Sequence, residues 1–295
     1  LAIIEQLDSL KVEIQIEEAQ LLEKQRLGEI DDTQDPEARS PRHRELLEQF
    51  DGLVERQSDL VIKEDFSRVY TGQGASGMNA GTSNDFTIYF VNVPANKLEL
   101  WFWMESDRLL NPVFREFYSE RDVVHEERRL RTDSTPIGKF QEQFDAMFWE
   151  SSPYSWPVVG WPSDLEGITR EEALAFFDVY YAPNNIAAAL IGDFDTDHAI
   201  ALAERYFGRL TRGDRPVLPP RTREMPQLAE KRMVAYAETN PQVVVRYHTV
   251  PDGHIDEPAL VVLGQLLNGR TGRLYKSLVE DQEVATSASG GQSGF

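Results

Sequence analysis

The 295-residue chain is 41% hydrophobic and 10% aromatic, enough for one large or two modest packed domains. Its 50 Asp and Glu against 30 Lys and Arg leave a formal net charge of −20, which repels nucleic acid and anionic membrane and argues against both as partners. With no cysteine there is no disulfide, thiol catalysis or thiolate metal site, and no apolar run approaches the ~20 residues of a membrane helix.

The opening, LAIIEQLDSLKVEIQIEEAQ, has no initiator Met, basic start or signal-cleavage pattern. It reads as the interior of a helix, and the far end stops in the polar stretch ATSASGGQSGF. Both ends are therefore expected to lie inside a longer polypeptide. Apolar residues at helical spacing (Ile3, Leu7, Leu10, Val12) predict an exposed amphipathic helix to about residue 27. A break rich in Asp, Pro and Ser spans Gly28 to Pro41, and Leu46, Leu47, Phe50, Leu53 and Val54 predict a second helix to Ile62. The pair is expected to be a helical hairpin inserted at the surface; a coiled-coil scaffold is the other reading, but strict heptads are not sustained.

The glycines of TGQGASG, residues 71–77, form a turn that leads into a strand over Thr87–Val91. Helices are expected from Asn96 to Leu110 and from Phe114 to Trp149, the latter broken near Pro136, and again from Asp195 to Phe207. PNNIAAALIGDF, 183–194, reads as a buried strand. Pro216, Pro219, Pro220 and Pro226 mark a linker; KRMVAYAE and QVVVRYHTV then read as strands, followed by helices near 256–268 and 271–281 and a final strand. The order predicts an α+β protein, a mixed sheet packed with helices, in two related modules.

Several local patterns fail on their chemistry. Gly72, Gly74 and Gly77 have GxGxxG spacing, but a dinucleotide turn must open a helix, and this one leads to a strand. His125-Glu126-Glu127-Arg128-Arg129 begins like HExxH, yet a cation stands where the second imidazole must face the zinc. His254-Ile255-Asp256-Glu257-Pro258 falls one His short of HxxEH and reads as a helix start, with Asp256 as cap and Pro258 in the first turn. Glu120 and Glu127 are more informative. Seven residues apart on one helix, they fall within about 20° of the same face and could point into one site. By themselves they are a weak signal and are better read as solvated helix residues.

A set of words in order changes that reading: GMNAGTSNDFTIYFVNVP, LELWFWMESDRLLNPVF, REFYSERDVVHEERRLRTDSTP, SSPYSWPVVGWPSDLEGITREEALAFFDVYYAPNNIAAALIGDF, ERYFGRL and LLNGRTGRLYKSLVEDQEVATSAS. From about Phe66 to the end the chain resembles the pitrilysin/insulinase family of zinc metallopeptidases (inverzincins), more narrowly bacterial members similar to mitochondrial processing peptidase. The resemblance implies a processing-peptidase-like fold. Residues 1–215 would be a first, catalytic-type repeat carrying the insertion 1–62, residues 216–230 a linker, and residues 231–295 the start of a second, non-catalytic repeat.

It also implies chemistry. Members bind zinc through the two His of an HxxEH helix, whose Glu is the general base, and through a Glu on a later helix. ERDVVHEE places that later ligand on Glu127, and Glu120 matches the family's supporting carboxylate. Asn79 and Ala80, in Met78-Asn79-Ala80-Gly81-Thr82, match positions that hold the backbone of an extended peptide added as a strand. No HxxEH occurs in this sequence. The expected function is zinc-dependent endopeptidase activity in a longer parent, with a second family subunit or a homodimer as further partner and the chain alone inactive. The alternative is a non-catalytic subunit that helps hold substrate.

Overall fold

The computed structural model describes residues 2–292 and divides into two compact units, Leu1–Ala80 with Tyr89–Ala237 and Gly81–Ile88 with Glu238–Phe295. The first unit opens with α1, Ala2–Arg26, and α2, Pro41–Leu60. Ser40 caps α2: its side chain accepts the His43 N–H at 2.9 Å, and Pro41 fits the first turn, where no N–H is needed. The short helix α3, Asp65–Gly72, ends in a Schellman turn, with Ala75 N–H on Tyr70 O at 3.1 Å and Gly74 N–H on Thr71 O at 3.0 Å. Gly74 has φ +87°, a conformation glycine adopts without strain.

The chain then forms a hairpin of β1, Ser76–Thr82, and β2, Thr87–Asn92, closed by Ser83 N–H on Phe86 O at 2.9 Å. Helices α4 (Leu98–Leu110), α5 (Phe117–Arg128), α6 (Pro136–Phe148), α7 (Pro162–Gly167), α8 (Arg170–Tyr180) and α9 (Thr196–Tyr206) complete this unit. A π-helical turn, Arg129–Asp133, follows α5, and Ser134 N–H bonds Arg129 O at 2.8 Å. Thr135 caps α6 through Gly138 N–H at 3.0 Å. A Cβ on Gly138 would stand 2.6 Å from Thr132 O, so the tight join of π turn to helix requires glycine. Thr169 and Glu172 form a reciprocal capping box at α8. The second unit holds α10, Glu257–Leu267, and α11, Arg273–Tyr275, which runs into a π turn, Lys276–Asp281.

The α+β class stands, in a mostly helical form with one small sheet. The sheet is narrower than the sequence predicts. Residues 186–190, 231–238 and 242–250 form no strand among the described residues, and β1 and β2 pair only with each other. An apolar β-prone run is a strand only when a neighbour takes its ladder bonds. Without one, Val243 and Tyr247 stay at the surface, as does Ile191 beside the first run. The final strand does not form within the described residues either. Three helices, α3, α7 and α8, appear where the sequence reading placed none.

The insertion is no surface ornament. Leu7 and Ile14 of α1 and Leu46 and Phe50 of α2 share a buried cluster with Tyr118 of α5. A second cluster joins α4 and α9 through Leu98, Phe102, Ala199 and Leu202. A third packs Tyr70, Ala75 and Met104 against the β2 end. The α1–α2 interface also contains ionisable groups. Lys11 is buried with Glu18 at 3.6 Å, and His43 is buried with its Nδ1 unpartnered among the described residues.

Burial is the main cause holding the His43 pKa below its ordinary value; Arg39 and Lys11 push the same way, and Glu17 and Glu18 oppose. The unfolded chain therefore binds the proton more readily. Stability from this site is complete above the ordinary His pKa of 6.5 and is lost as pH falls below it. Chemical denaturation of the first unit is expected to show stability falling by up to about 1.4 kcal/mol per pH unit there. His43→Leu should remove that slope; an unchanged slope would assign the acid sensitivity elsewhere.

Candidate functional site

Helix α5 carries the two carboxylates of interest. Its inward residues are Tyr118 and Arg128, one near each end, and they fix which way the remaining residues point. Tyr118 is packed edge-on against Phe50, with ring centroids 5.0 Å apart, and Arg121 lies over both rings at 6.0 and 5.5 Å. At the other end the Arg128 guanidinium is 5% exposed. It makes a two-bond fork to Glu142 of α6, at 2.6 and 2.9 Å, and donates to Gly160 O at 2.9 Å. Glu142 holds the Arg128 pKa above its ordinary value.

Between these anchors, Glu120 is exposed and Glu127 is partly exposed, seven residues and about 10 Å of helix apart on one face. Glu127 is paired with Arg131 of the π turn at 2.7 Å. His125, Glu126 and Arg129 give no second metal ligand; Arg129 Nε instead bonds Glu126 Oε2 at 2.9 Å. Among the described residues no three His, Cys, Asp or Glu side chains come together as a metal site. One carboxylate already paired with a cation does not fit zinc, which takes three protein ligands in a catalytic site. No hydrolytic step is assigned to these residues alone.

Asn79 and Ala80 lie on β1, whose seven residues are all exposed. The Ala80 N–H donates to the Asn79 side-chain Oδ1 at 2.8 Å, an intrastrand contact on a two-stranded sheet. Behind the hairpin, Arg108 of α4 stacks on the Tyr89 ring at 4.4 Å, and the Tyr89 hydroxyl meets the Tyr181 hydroxyl at 2.6 Å. Tyr89 is thereby tied to the end of α8, and Phe177 stacks on Tyr181 at 4.8 Å.

The near-miss at His254 is a helix start, as its sequence implies, with one difference. Asp256 occupies the cap position and Pro258 the first turn, but the Asp256 side chain makes no cap bond. The Glu257 carboxylate instead accepts Gly253 N–H at 2.7 Å, and His254 Nδ1 accepts Asp256 N–H at 3.1 Å. Sequence reasoning missed Arg128 and the Asp8–Tyr118–Arg170 contacts described below. Arg128 and Glu142 are 14 residues apart on different helices, a spacing that carries no local signal.

Residues 167–295 match the family model described as the peptidase M16 inactive domain. The chain is 32% identical over 216 residues to the zinc protease PqqE of Helicobacter pylori, covering 71% of this chain and 49% of that protein. An uncharacterized zinc protease of Mycobacterium bovis is 30% identical over 218 residues, with the same coverage. The mitochondrial-processing peptidase subunit beta of Caenorhabditis elegans is 27% identical over 143 residues, 46% of this chain and 30% of that one. The chain thus spans about half the length, or less, of these relatives. A crystal structure of a protease from Helicobacter pylori superposes with a TM-score of 0.62 at 26% identity, over 80% of this chain and 60% of that one. The ordered words and these similarities agree: residues 167–295 match an M16 domain, and the chain is similar to peptidases of the pitrilysin/insulinase (M16) family.

Proposed function

We propose that the chain is the carboxylate-bearing and peptide-holding part of a zinc metalloendopeptidase. Glu127 contributes one ligand to a zinc ion whose other ligands come from an HxxEH segment, Glu120 supports that ligand, and Asn79 and Ala80 engage the backbone of an extended peptide. The observation that carries the reading is α5: two carboxylates on one face of a helix anchored at both ends, in a chain whose relatives are named zinc proteases. The Ala80 N–H, donated to its own neighbour's side chain at an exposed strand, is the kind of donor that a peptide carbonyl can accept in place of Asn79 Oδ1. In this proposal residues 1–215 form a catalytic-type repeat, 216–230 the linker and 231–295 the opening of a second repeat.

The test supplies the chain with an HxxEH-bearing segment of the same family, fused or in trans, and follows zinc binding and peptide hydrolysis. Glu127→Gln is expected to weaken zinc binding at least about 100-fold and to abolish chelator-sensitive hydrolysis, and Glu120→Gln to weaken binding about 10- to 100-fold. Unchanged zinc binding in Glu127→Gln would overturn the assignment. The match to the inactive-domain model favours a second reading, a non-catalytic subunit that holds peptide. It would show as peptide binding sensitive to Asn79→Ala but indifferent to Glu127→Gln.

A further inference from the structure

The helical pair α1–α2 is bonded into the carboxylate helix. Tyr118 lies two residues before Glu120 and is 2% exposed, within the same cluster as Leu7, Ile14, Leu46 and Phe50. Its hydroxyl donates to Asp8 Oδ1 of α1 at 3.0 Å. The other Asp8 oxygen accepts from Arg170, the first residue of α8, through Nη2 at 2.8 Å and Nε at 3.0 Å. Arg170 Nη1 also reaches Val113 O at 3.4 Å, just ahead of α5. One carboxylate from α1 therefore ties α1, α5 and α8 together. Burial, and then the bond to Asp8, keep the Tyr118 phenol protonated well beyond its ordinary range, so it remains a donor.

We propose that Asp8 is a positioning residue: through Tyr118 and Arg170 it sets the depth and rotation of α5, and so the direction in which Glu120 and Glu127 face. A helix turns as a rigid rod, so a change at Tyr118 is carried to both carboxylates, which share one face. Asp8→Asn leaves one amide oxygen for the donors of both Tyr118 and Arg170 and sets an NH2 where the other oxygen stood, so a buried donor loses its acceptor and α5 must shift. The functional meaning rests on the reading of α5 as the carboxylate helix of a peptidase site; the geometric claim does not.

The experiment compares Asp8→Asn, Tyr118→Phe and their double variant in the full chain with Leu202→Ala, which damages the separate α4–α9 cluster. Amide exchange across 117–128 and the side-chain carboxyl ¹³C resonances of Glu120 and Glu127 are recorded. Asp8→Asn and Tyr118→Phe are expected to speed exchange in α5 about tenfold or more and to move both carboxyl resonances. The double variant should do little more than Asp8→Asn alone, because the two groups share one bond. Leu202→Ala should lower stability and leave the two resonances in place. Resonances unmoved by the first two variants, or moved equally by Leu202→Ala, would overturn the proposal. If Asp8→Asn fails to fold, Tyr118→Phe, which keeps the Asp8–Arg170 pair, decides the matter. If the resonances move as expected while Glu127→Gln leaves zinc binding intact, Asp8 positions α5 but the peptidase reading falls.

Discussion

Arg128→Met is expected to cost about 3–5 kcal/mol of folding stability, a severe effect for one side chain. Arg128 and Glu142 are 5% and 14% exposed and are joined by the two-bond fork. Taking the cation away strands a carboxylate in the interior and also frees Gly160 O, so the penalty is that of an uncompensated charge, not of a surface ion pair. Lys should rescue little, because an ammonium cannot make both bonds to the carboxylate and reach the carbonyl in the same plane. Arg128→Met with Glu142→Met removes both charges and should recover much of the loss. Urea denaturation of the three variants checks this. A double variant no better than Arg128→Met would mean that the pair is needed for its shape, through the join it makes between α5, the π turn and α6.

That clamp also shows what kind of information the sequence lacked. Glu120 and Glu127 were visible because a helix repeats its face every seven residues, and the ordered words around them named the helix. Arg128 sits beside Glu127 in the same words, yet nothing local distinguishes a buried arginine from the exposed Arg129 and Arg131 that follow it. Its role depends on a partner brought in by folding. The Asp8–Arg170 pair is the extreme case, its partners 162 positions apart.

Helices were more legible than strands for a related reason. A helix satisfies its own backbone, so the Ser40-Pro41 start, the Asp195 cap and the Pro136 break could be placed from nearby residues. The Thr169–Glu172 capping box carried the same signal for α8 and was passed over. Strands depend on distant pairing. Thr87–Asn92 forms because Ser76–Thr82 lies one short turn away and takes its ladder bonds, whereas the apolar runs at 186–190, 231–238 and 242–250 are paired with no strand among the described residues. Periodicity identified their composition but could not supply a partner.

The same distinction decides the status of the first 60 residues, and Phe50→Ala tests it with a large effect. Read from sequence, α1 and α2 are an insertion, and cutting into an insertion should leave the rest of the unit alone. Phe50 is 5% exposed, and its ring meets Tyr118 of α5 edge-on at 5.0 Å beneath the Arg121 guanidinium. Truncation removes a full aromatic side chain, leaves a cavity bounded by Leu7, Leu46 and Tyr118, and takes away the edge contact, for an expected loss of about 3–5 kcal/mol. Because the cavity opens onto α5, the loss should appear in the exchange of α5 amides as well as those of α1 and α2. Protection lost from α1 and α2 alone would return the hairpin to the status of an insertion. Protection lost from all three would make it part of the core on which the carboxylate helix rests.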